Sequence, residues 1–372
     1  MRLSKLDPKT KKRTPLVDQV EEYVKKYNIG GVCLFQGGPT EQAIWMNRLK
    51  KTAKTPILFS IDGEWGLSMR IPDSIIPLPR QMMLGALTDS SLIYEYGKVV
   101  ANQCKRMGIQ MNYAPVMDVN NNPDNPVIND RSFGEVKEKV ARFGIQYIKG
   151  MEDNGVMACV KHFPGHGDVA VDSHLDLPVI NKSMEELEQL EFYPFQKAFA
   201  SGVSSAMIAH LYIPSIDNRS NRATSLSKYN IDTLLKQKFN FNGLAITDGL
   251  EMKGVKKFFP DGELAVQAIM AGNDLLCVPD SIPQVVEKLM EALQKNRITA
   301  EEIEAHCKKV LIAKYQYVLN NNDTIALENI TAELNKETPA LREKIAEKAI
   351  TLVSKEDALF FPIDPEKIKN KL

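Results

Sequence analysis

Short apolar runs alternate along the chain with longer stretches in which apolar residues recur at helical spacing. The predicted strands are 31–35, 57–61, 110–114, 156–160, 205–209, 244–247 and 274–278. The predicted helices are 17–27, 41–53, 91–107, 136–154, 183–201, 226–238, 262–271, 282–295, 300–317 and 339–349. This alternation predicts an α/β fold with a parallel sheet, and its regularity favours a (β/α)8 TIM-type barrel over an open doubly wound sheet.

Polar side chains follow almost every predicted strand, directly where the apolar run ends. In chain order they are Asp62, Glu64, Asn112, Asp118, Lys161, His162, His210 and Asp248. Barrel enzymes place functional groups at the C-terminal ends of many different strands, whereas an open sheet concentrates them at one switch point. The pattern therefore supports a barrel and indicates an active site at that end.

One barrel strand is not recognisable in the sequence. The chain offers seven strand candidates, and the residues before Gly31 predict a helix but no convincing strand. A parallel barrel of seven strands would leave an unpaired edge. We therefore expect a barrel over residues 1–318 that lacks a recognisable first strand, and a C-terminal helical extension over 319–372.

Composition and charge limit the class of protein. The chain has 372 residues, 44% of them hydrophobic, and 47 Lys and Arg balance 47 Asp and Glu, so nucleic acid is not an expected partner. The five Cys are scattered, which argues against a disulfide framework or a zinc site. The chain has no run of 18 apolar residues, so no membrane span is predicted. Residues 1–13 lack the apolar core of a signal peptide, which predicts a cytoplasmic protein, or a periplasmic or exported one if residues preceding Met1 have been removed.

The densest chemical signal is the loop Lys161–Asp168, followed by Asp172 and His174. Asp172 and His174 are two residues apart, so in an extended loop the carboxylate can orient the imidazole for general acid/base work. The alternative is a His exposed to water. A zinc site formed by His162, His166 and His174 is a rival, but Pro and Gly between the first two break any helix that would align them.

Two further segments carry candidate groups. Asp248 follows a buried apolar run and is a candidate nucleophile or metal ligand, with helix capping as the structural alternative. Asp62 and Glu64 lie beside Trp65, an arrangement that suits a sugar, because sugar hydroxyls take bidentate hydrogen bonds and C–H groups stack on an aromatic face. Arg131 adds a cation from the loop after the third strand.

Taken together, these motifs resemble family 3 glycoside hydrolases. The matching segments are Ser60–Glu64, Ala114–Asp118, Asn129–Gly134, Lys161–Gly167 and Ile246–Asp248, and Asp172–His174 is similar to the β-N-acetylglucosaminidase branch. The resemblance implies a retaining, two-step mechanism without a cofactor. The resemblance also implies the substrate, which is the terminal N-acetylglucosamine (GlcNAc) of small glycosides, with peptidoglycan fragments as the natural source.

The resemblance also implies roles for single residues. Asp248 would be the nucleophile, and His174, oriented by Asp172, the acid/base. The sugar hydroxyls would be held by Asp62, Arg70, Arg131, Lys161 and His162, with His210 and Met252 lining the same pocket. Trp65 and Leu67 depart from the family pattern, and residues 350–362 are similar to the entry of a second domain found in many relatives.

Several alternatives remain open at this stage. A phosphorylase would use the same intermediate, because a neutral imidazole, unlike a carboxylate, does not repel phosphate. A β-glucosidase of the same family, a non-catalytic sugar-binding protein and a metal-dependent amidohydrolase are the others. No oligomeric state is predicted.

Overall fold

The fold centres on a parallel sheet of six consecutive strands. The computed structural model describes residues 1–7, 9–10, 12–170, 176–259, 262–319 and 322–351. The strands are β3 (Gly31–Leu34), β4 (Leu58–Ile61), β5 (Met111–Asn112), β6 (Met157–Phe163), β7 (Ser205–Ile208) and β8 (Leu244–Thr247), and each pairs in parallel with the next. Nearly every strand residue is buried, as in a barrel covered by helices. The predicted α/β barrel-like fold is confirmed.

The N-terminal residues occupy the position of the strand that the sequence did not reveal. Met1 and Arg2 run parallel to β3, with an Arg2–Cys33 bridge and a 2.6 Å hydrogen bond from the Cys33 N–H to the Met1 carbonyl. The chain then turns into an antiparallel hairpin of β1 (Ser4–Leu6) and β2 (Arg13–Pro15). In the described residues this segment forms a single bridge to β3 and no regular strand, so the prediction of a barrel without a recognisable first strand is confirmed.

The seventh predicted strand, 274–278, is wrong as a regular strand in the described structure. It joins β8 through one parallel bridge, Ile246–Leu275, and the N–H of Leu250 donates to the Cys277 carbonyl at 3.0 Å. Six strands and these two flanking segments make eight strand positions in the described chain. Met1 and Cys277 also line one internal cavity, which brings the two flanking segments to the same side of the sheet.

Helices lie between the strands. They are α1 (Val17–Tyr27), α2 (Pro39–Thr52), α3 (Gln81–Gly85), α4 (Ser91–Arg106), α5 (Lys137–Glu152), α6 (Met184–Gln189), α7 (Phe192–Ala200), α8 (Lys253–Lys256), α9 (Glu263–Met270), α10 (Ile282–Gln294), α11 (Ala300–Tyr317), α12 (Ile330–Asn335) and α13 (Thr338–Ala349), with a π-helical stretch at Tyr229–Lys238. The predicted helix 183–201 divides into α6 and α7, because Leu190 leaves helical geometry at φ −127°. Among the described residues, no helix is both long and apolar enough to cross a membrane.

The last two helices lie against the barrel exterior. The Gln103 amide on α4 donates to the Leu334 carbonyl of α12 at 3.1 Å and to the Thr338 hydroxyl of α13 at 3.2 Å. Leu334 and Leu341 are buried in the same core as α4. These contacts place α12 and α13 against α4, which follows β4. Residues 352–372 lie outside the described part of the chain.

Candidate functional site

A cavity of about 230 Å³ opens at the C-terminal ends of the strands. Of the ten residues predicted from the sequence, seven line this cavity: Asp62, Arg70, Arg131, Lys161, His162, Asp248 and Met252. These residues are spread over almost 200 positions of the chain, and the parallel sheet brings their strand ends together. Asp172 and His174, the predicted acid/base pair, lie outside the described residues.

Two carboxylates and three cations form an ionic network at the floor of the cavity; Glu64 and Lys161 are buried, and Asp62, Arg70 and Arg131 are half-buried. The Lys161 ammonium lies 2.5 Å from a carboxylate oxygen of Asp62 and 2.6 Å from one of Glu64. Arg131 binds both oxygens of Glu64, with its Nη2 2.7 Å from Oε1 and its Nε 2.9 Å from Oε2. Arg70 pairs with the other oxygen of Asp62. Each charge is therefore met by an opposite one, which a buried ionic group requires.

This network fixes the protonation state of its acids. Burial alone would raise the pKa of Glu64, but the charges of Arg131 and Lys161 outweigh it and lower the pKa to about 2. Burial likewise opposes ionisation of Asp62, and Lys161 and Arg70 still hold its pKa below the ordinary value. The pKa of Lys161 is raised, because Asp62 and Glu64 outweigh the effect of burial. Both acids are therefore anionic at neutral pH, and Asp62, which lines the cavity, can accept hydrogen bonds from hydroxyl groups.

Asp118 organises the loop that follows β6. Its carboxylate is fully buried and accepts hydrogen bonds from the backbone N–H groups of His162 at 3.2 Å and His166 at 2.7 Å. It also lies 2.7 Å from Nδ1 of His162, whose Nε2 is 3.3 Å from Arg131. Because Nδ1 faces Asp118, the Nε2 side of His162 is turned toward the cavity. The sequence placed Asp118 after a strand but assigned it no role.

His166 belongs to the loop scaffold. It is 1% exposed, and burial together with the neighbouring His162 lowers its pKa to about 4, so the ring is neutral at neutral pH. Gly167 packs so tightly that a Cβ there would lie 1.7 Å from the Val119 carbonyl oxygen. The glycine is therefore required by the close approach of two backbones.

Asp248 lies at the end of β8, half-buried at the cavity wall. Its backbone N–H donates to the Ile208 carbonyl at 3.0 Å, and its carboxylate accepts from the Gly249 N–H at 2.7 Å. His210 lies behind this turn: Nε2 donates to the Gly249 carbonyl at 3.2 Å, so Nδ1 accepts from the Ser225 hydroxyl at 2.7 Å. His210, predicted to line the pocket, therefore contacts the Asp248 turn and is absent from the lining of the described cavity.

The cavity lining also includes Arg2, Phe35 and Glu251, which the sequence did not single out. Arg2 and Arg70 lie with their guanidinium carbons 4.2 and 4.9 Å from the Phe35 ring centre, and Arg2 pairs with Glu251. All four of these side chains line the cavity, as do Tyr113 and Cys277. Phe35 ends a predicted strand, but an apolar residue there carries no functional signal. Arg2 belongs to the unrecognised first strand position.

Among the described residues, no group of three or more His, Cys, Asp or Glu side chains is close enough to hold a metal ion. His162 and His166 of the rival zinc triplet have their rings 5.7 Å apart, and Asp118 binds the His162 ring but only the backbone N–H of His166. The third member, His174, lies outside the described residues.

Comparison with known proteins places this site in a family. A sequence model of the glycosyl hydrolase family 3 N terminal domain matches residues 8–313. Beta-hexosaminidase A of Pseudoalteromonas piscicida is 30% identical over 378 residues, covering 93% of this chain and 63% of its own length. The structure of a glycoside hydrolase family 3 beta-N-acetylglucosaminidase from Paenibacillus sp. superposes with a TM-score of 0.81 at 35% identity, covering 91% of this chain and 66% of the other.

A beta-glucoside phosphorylase, BglX, has a similar fold, with a TM-score of 0.84 at 26% identity over 91% of this chain and 63% of its own. The chain thus spans slightly less than two thirds of each of these three relatives. The match to the family model extends from the β1–β2 hairpin to α11 and includes all the strand ends that form the cavity. The chain belongs to glycoside hydrolase family 3, and residues 8–313 correspond to the N-terminal domain of that family.

Proposed function

We propose that the protein is a retaining exo-β-N-acetylglucosaminidase that releases terminal GlcNAc through a covalent glycosyl-Asp248 intermediate. The observation that carries the proposal is the Asp248 carboxylate on the wall of a cavity whose floor is lined by Asp62, Lys161, Arg131 and His162. A nucleophile beside a cluster of fixed donors and acceptors is what glycosyl transfer to a carboxylate requires. The relatives named beta-hexosaminidase and beta-N-acetylglucosaminidase support the same assignment.

The proposed reaction has two steps. Asp248 attacks the anomeric carbon while His174, oriented by Asp172, donates a proton to the departing glycosidic oxygen. His174 then takes a proton from water as that water attacks the anomeric carbon and releases Asp248, so the stereochemistry is retained. The usual second carboxyl group is replaced here by an imidazole, whose ordinary pKa near 6.5 suits proton transfer near neutral pH.

The size of the cavity supports an exo mode of action. Its volume of about 230 Å³ lies below the range of about 300–1,000 Å³ that drug-sized ligands occupy, so it suits a single sugar ring. The floor presents anionic Asp62 and the cations Lys161 and Arg70 side by side. Vicinal sugar hydroxyls both donate and accept, so alternating acceptors and donors match them. We propose that the natural substrate is the terminal GlcNAc of peptidoglycan fragments.

Trapping the intermediate tests the assignment. Incubation with a fluorinated GlcNAc donor, which slows the second step, is expected to add one sugar to the protein, and peptide mapping is expected to place it on Asp248. The Asp248→Asn variant, which keeps the size of the side chain, should remain unlabelled. Label on another residue would overturn the mechanism, and detectable GlcNAc binding without any turnover would favour the non-catalytic alternative.

Phosphorolysis is a second candidate, favoured by the fold similarity to the beta-glucoside phosphorylase BglX and by the imidazole acid/base. In this version phosphate oxygen, not water, attacks the intermediate and releases Asp248, giving GlcNAc 1-phosphate. Initial rates in phosphate and in a non-nucleophilic buffer of equal ionic strength separate the two. Hydrolysis predicts free GlcNAc in both buffers; sugar 1-phosphate as the main product would reassign the protein as a phosphorylase.

A further inference from the structure

The chain between β6 and α6 carries the predicted acid/base pair, and its two ends are joined by one lysine. We propose that Lys182 is a positioning residue: it ties the outgoing end of this loop, at Asp168, to the returning end and to the buried Glu191, and so sets the placement of the acid/base. The inference rests on the proposed function. The group formed by Lys182, Asp168 and Glu191 is called the Lys182 clamp below.

The contacts of the clamp are direct. The Lys182 ammonium lies 2.7 Å from a carboxylate oxygen of Asp168 and also pairs with Glu191. The side chains of Lys182 and Glu191 are 18% and 2% exposed, so water competes weakly for these contacts. Burial alone would lower the pKa of Lys182, but the hydrogen bonds to Asp168 and Glu191 outweigh it and raise the pKa. The lysine is therefore charged at neutral pH and can hold both acids at once.

Glu191 connects the clamp to the rigid part of the site. It lies at the start of α7, against the turn at Gly165, where φ is +135° and a Cβ would be 2.7 Å from the Glu191 Cβ. This turn lies between His162, near the end of β6, and His166, and Asp118 accepts hydrogen bonds from the backbone N–H groups of both histidines. Through Glu191, Lys182 thus has a fixed position relative to the sugar-binding residues at the floor of the cavity.

The returning arm is anchored to the loop that follows β7 and contacts the segment that follows β8, where Asp248 lies. Tyr212 exchanges backbone hydrogen bonds with the arm, its carbonyl accepting from the Ile180 N–H at 3.0 Å and its N–H donating to the Pro178 carbonyl at 2.8 Å. Asp176 pairs with Lys257 at 2.5 Å, and Leu177 belongs to the same apolar cluster as Leu250. Lys182 adds the link from this arm to Asp168, so both ends of the loop keep a fixed relation to Asp248.

The dependence of rate on the leaving group tests this role. A misplaced acid slows departure of a basic leaving group, which needs a proton, but not of 2,4-dinitrophenolate, which leaves without one. For the Lys182→Met variant we expect kcat/KM to fall about 10- to 100-fold with methyl or disaccharide substrates and less than about twofold with the 2,4-dinitrophenyl glycoside. Lys182→Arg, which retains the charge, is expected to restore most of the loss.

Two controls make the result decisive. Lys344→Met removes a half-exposed lysine paired with Glu95 at 2.7 Å on the outer surface, and should leave every rate unchanged. Asp168→Asn breaks the clamp at its outgoing end and should show the same selective loss, which covers the case in which Lys182→Met does not fold. Equal loss with both substrate types, or none, would overturn the positioning role while the wild-type protein still turned over GlcNAc glycosides. Absence of wild-type turnover would instead reject the proposed function.

Discussion

The Asp248→Ala variant is expected to lose about 10⁴-fold or more in kcat/KM for aryl N-acetylglucosaminides, because it removes the carboxylate on which the proposed glycosyl-enzyme forms. Asp248 has the geometry for this role. Its backbone is fixed by Ile208 and its carboxylate by the Gly249 N–H, so the side chain is held at the cavity wall before any sugar binds. Steady-state rates with a 4-nitrophenyl substrate measure the loss.

Rescue by a small anion separates a missing nucleophile from a damaged fold. Azide is expected to enter the space left by the carboxylate and attack the anomeric carbon as the aryl oxide leaves, giving the α-glycosyl azide. Asp232→Asn is a matched control, because Asp232 is a similarly half-buried acid paired with Lys236 at 2.8 Å on the π-helical stretch. Its activity should equal that of the wild type. Near-normal hydrolysis by Asp248→Ala would reject Asp248 as the nucleophile.

The Glu64→Gln variant is expected to lose about 3–5 kcal/mol of unfolding free energy, because it leaves Arg131 and Lys161 buried without a full counter-charge. Glu64 is 1% exposed and binds Arg131 through both oxygens and Lys161 through one. Glutamine keeps the shape and one acceptor but donates N–H groups toward cations. Denaturant unfolding measures the change, and KM is expected to rise because the sugar-binding floor loosens.

Surface acids provide the comparison. Glu95→Gln removes a carboxylate that is 46% exposed and paired with Lys344, and should change the unfolding free energy by less than about 1 kcal/mol. If Glu64→Gln changes the unfolding free energy as little as Glu95→Gln does, the buried ionic network does not stabilise the fold.

The effect of Glu64→Gln should also depend on pH. The folded pKa of Glu64 is about 2, below the ordinary 4.5, so its stabilisation is fully present above pH 4.5 and is lost as the pH falls toward 2. The difference in unfolding free energy between wild type and variant should therefore be constant near neutral pH and become smaller below about pH 4.5. A difference that becomes larger on acidification would contradict the assigned charge state.

Most of the elements could be predicted from periodicity, because amphipathic helices and buried strands have distinct repeats. α1 and α11 begin and end where the pattern predicts. The local pattern was not decisive at two places. Met1 and Arg2 pair with β3 through backbone atoms alone, which leave no side-chain signal, and Leu190 interrupts a helix whose apolar spacing continues.

The residues of the site could also be predicted in part. Acids and bases after strands marked Asp62, Lys161, His162 and Asp248, which all line the cavity. Phe35, Arg2 and Glu251 could not be found, because their types are common and their approach depends on how the first and last strand positions meet. The roles of Asp172 and His174 remain predictions.

The order of strands and helices, and the chemistry available at the strand ends, were determined by the sequence alone, because both depend on residues near one another in the chain. The tertiary structure decided which charges meet. Glu64, separated from Lys161 and Arg131 by 97 and 67 positions, forms ion pairs with both. It also decided that Asp118 orients His162 and that Lys182 joins Asp168 to Glu191. Buried charges pair with residues that are far away in the chain, so their partners are fixed only when the sheet brings the strand ends together.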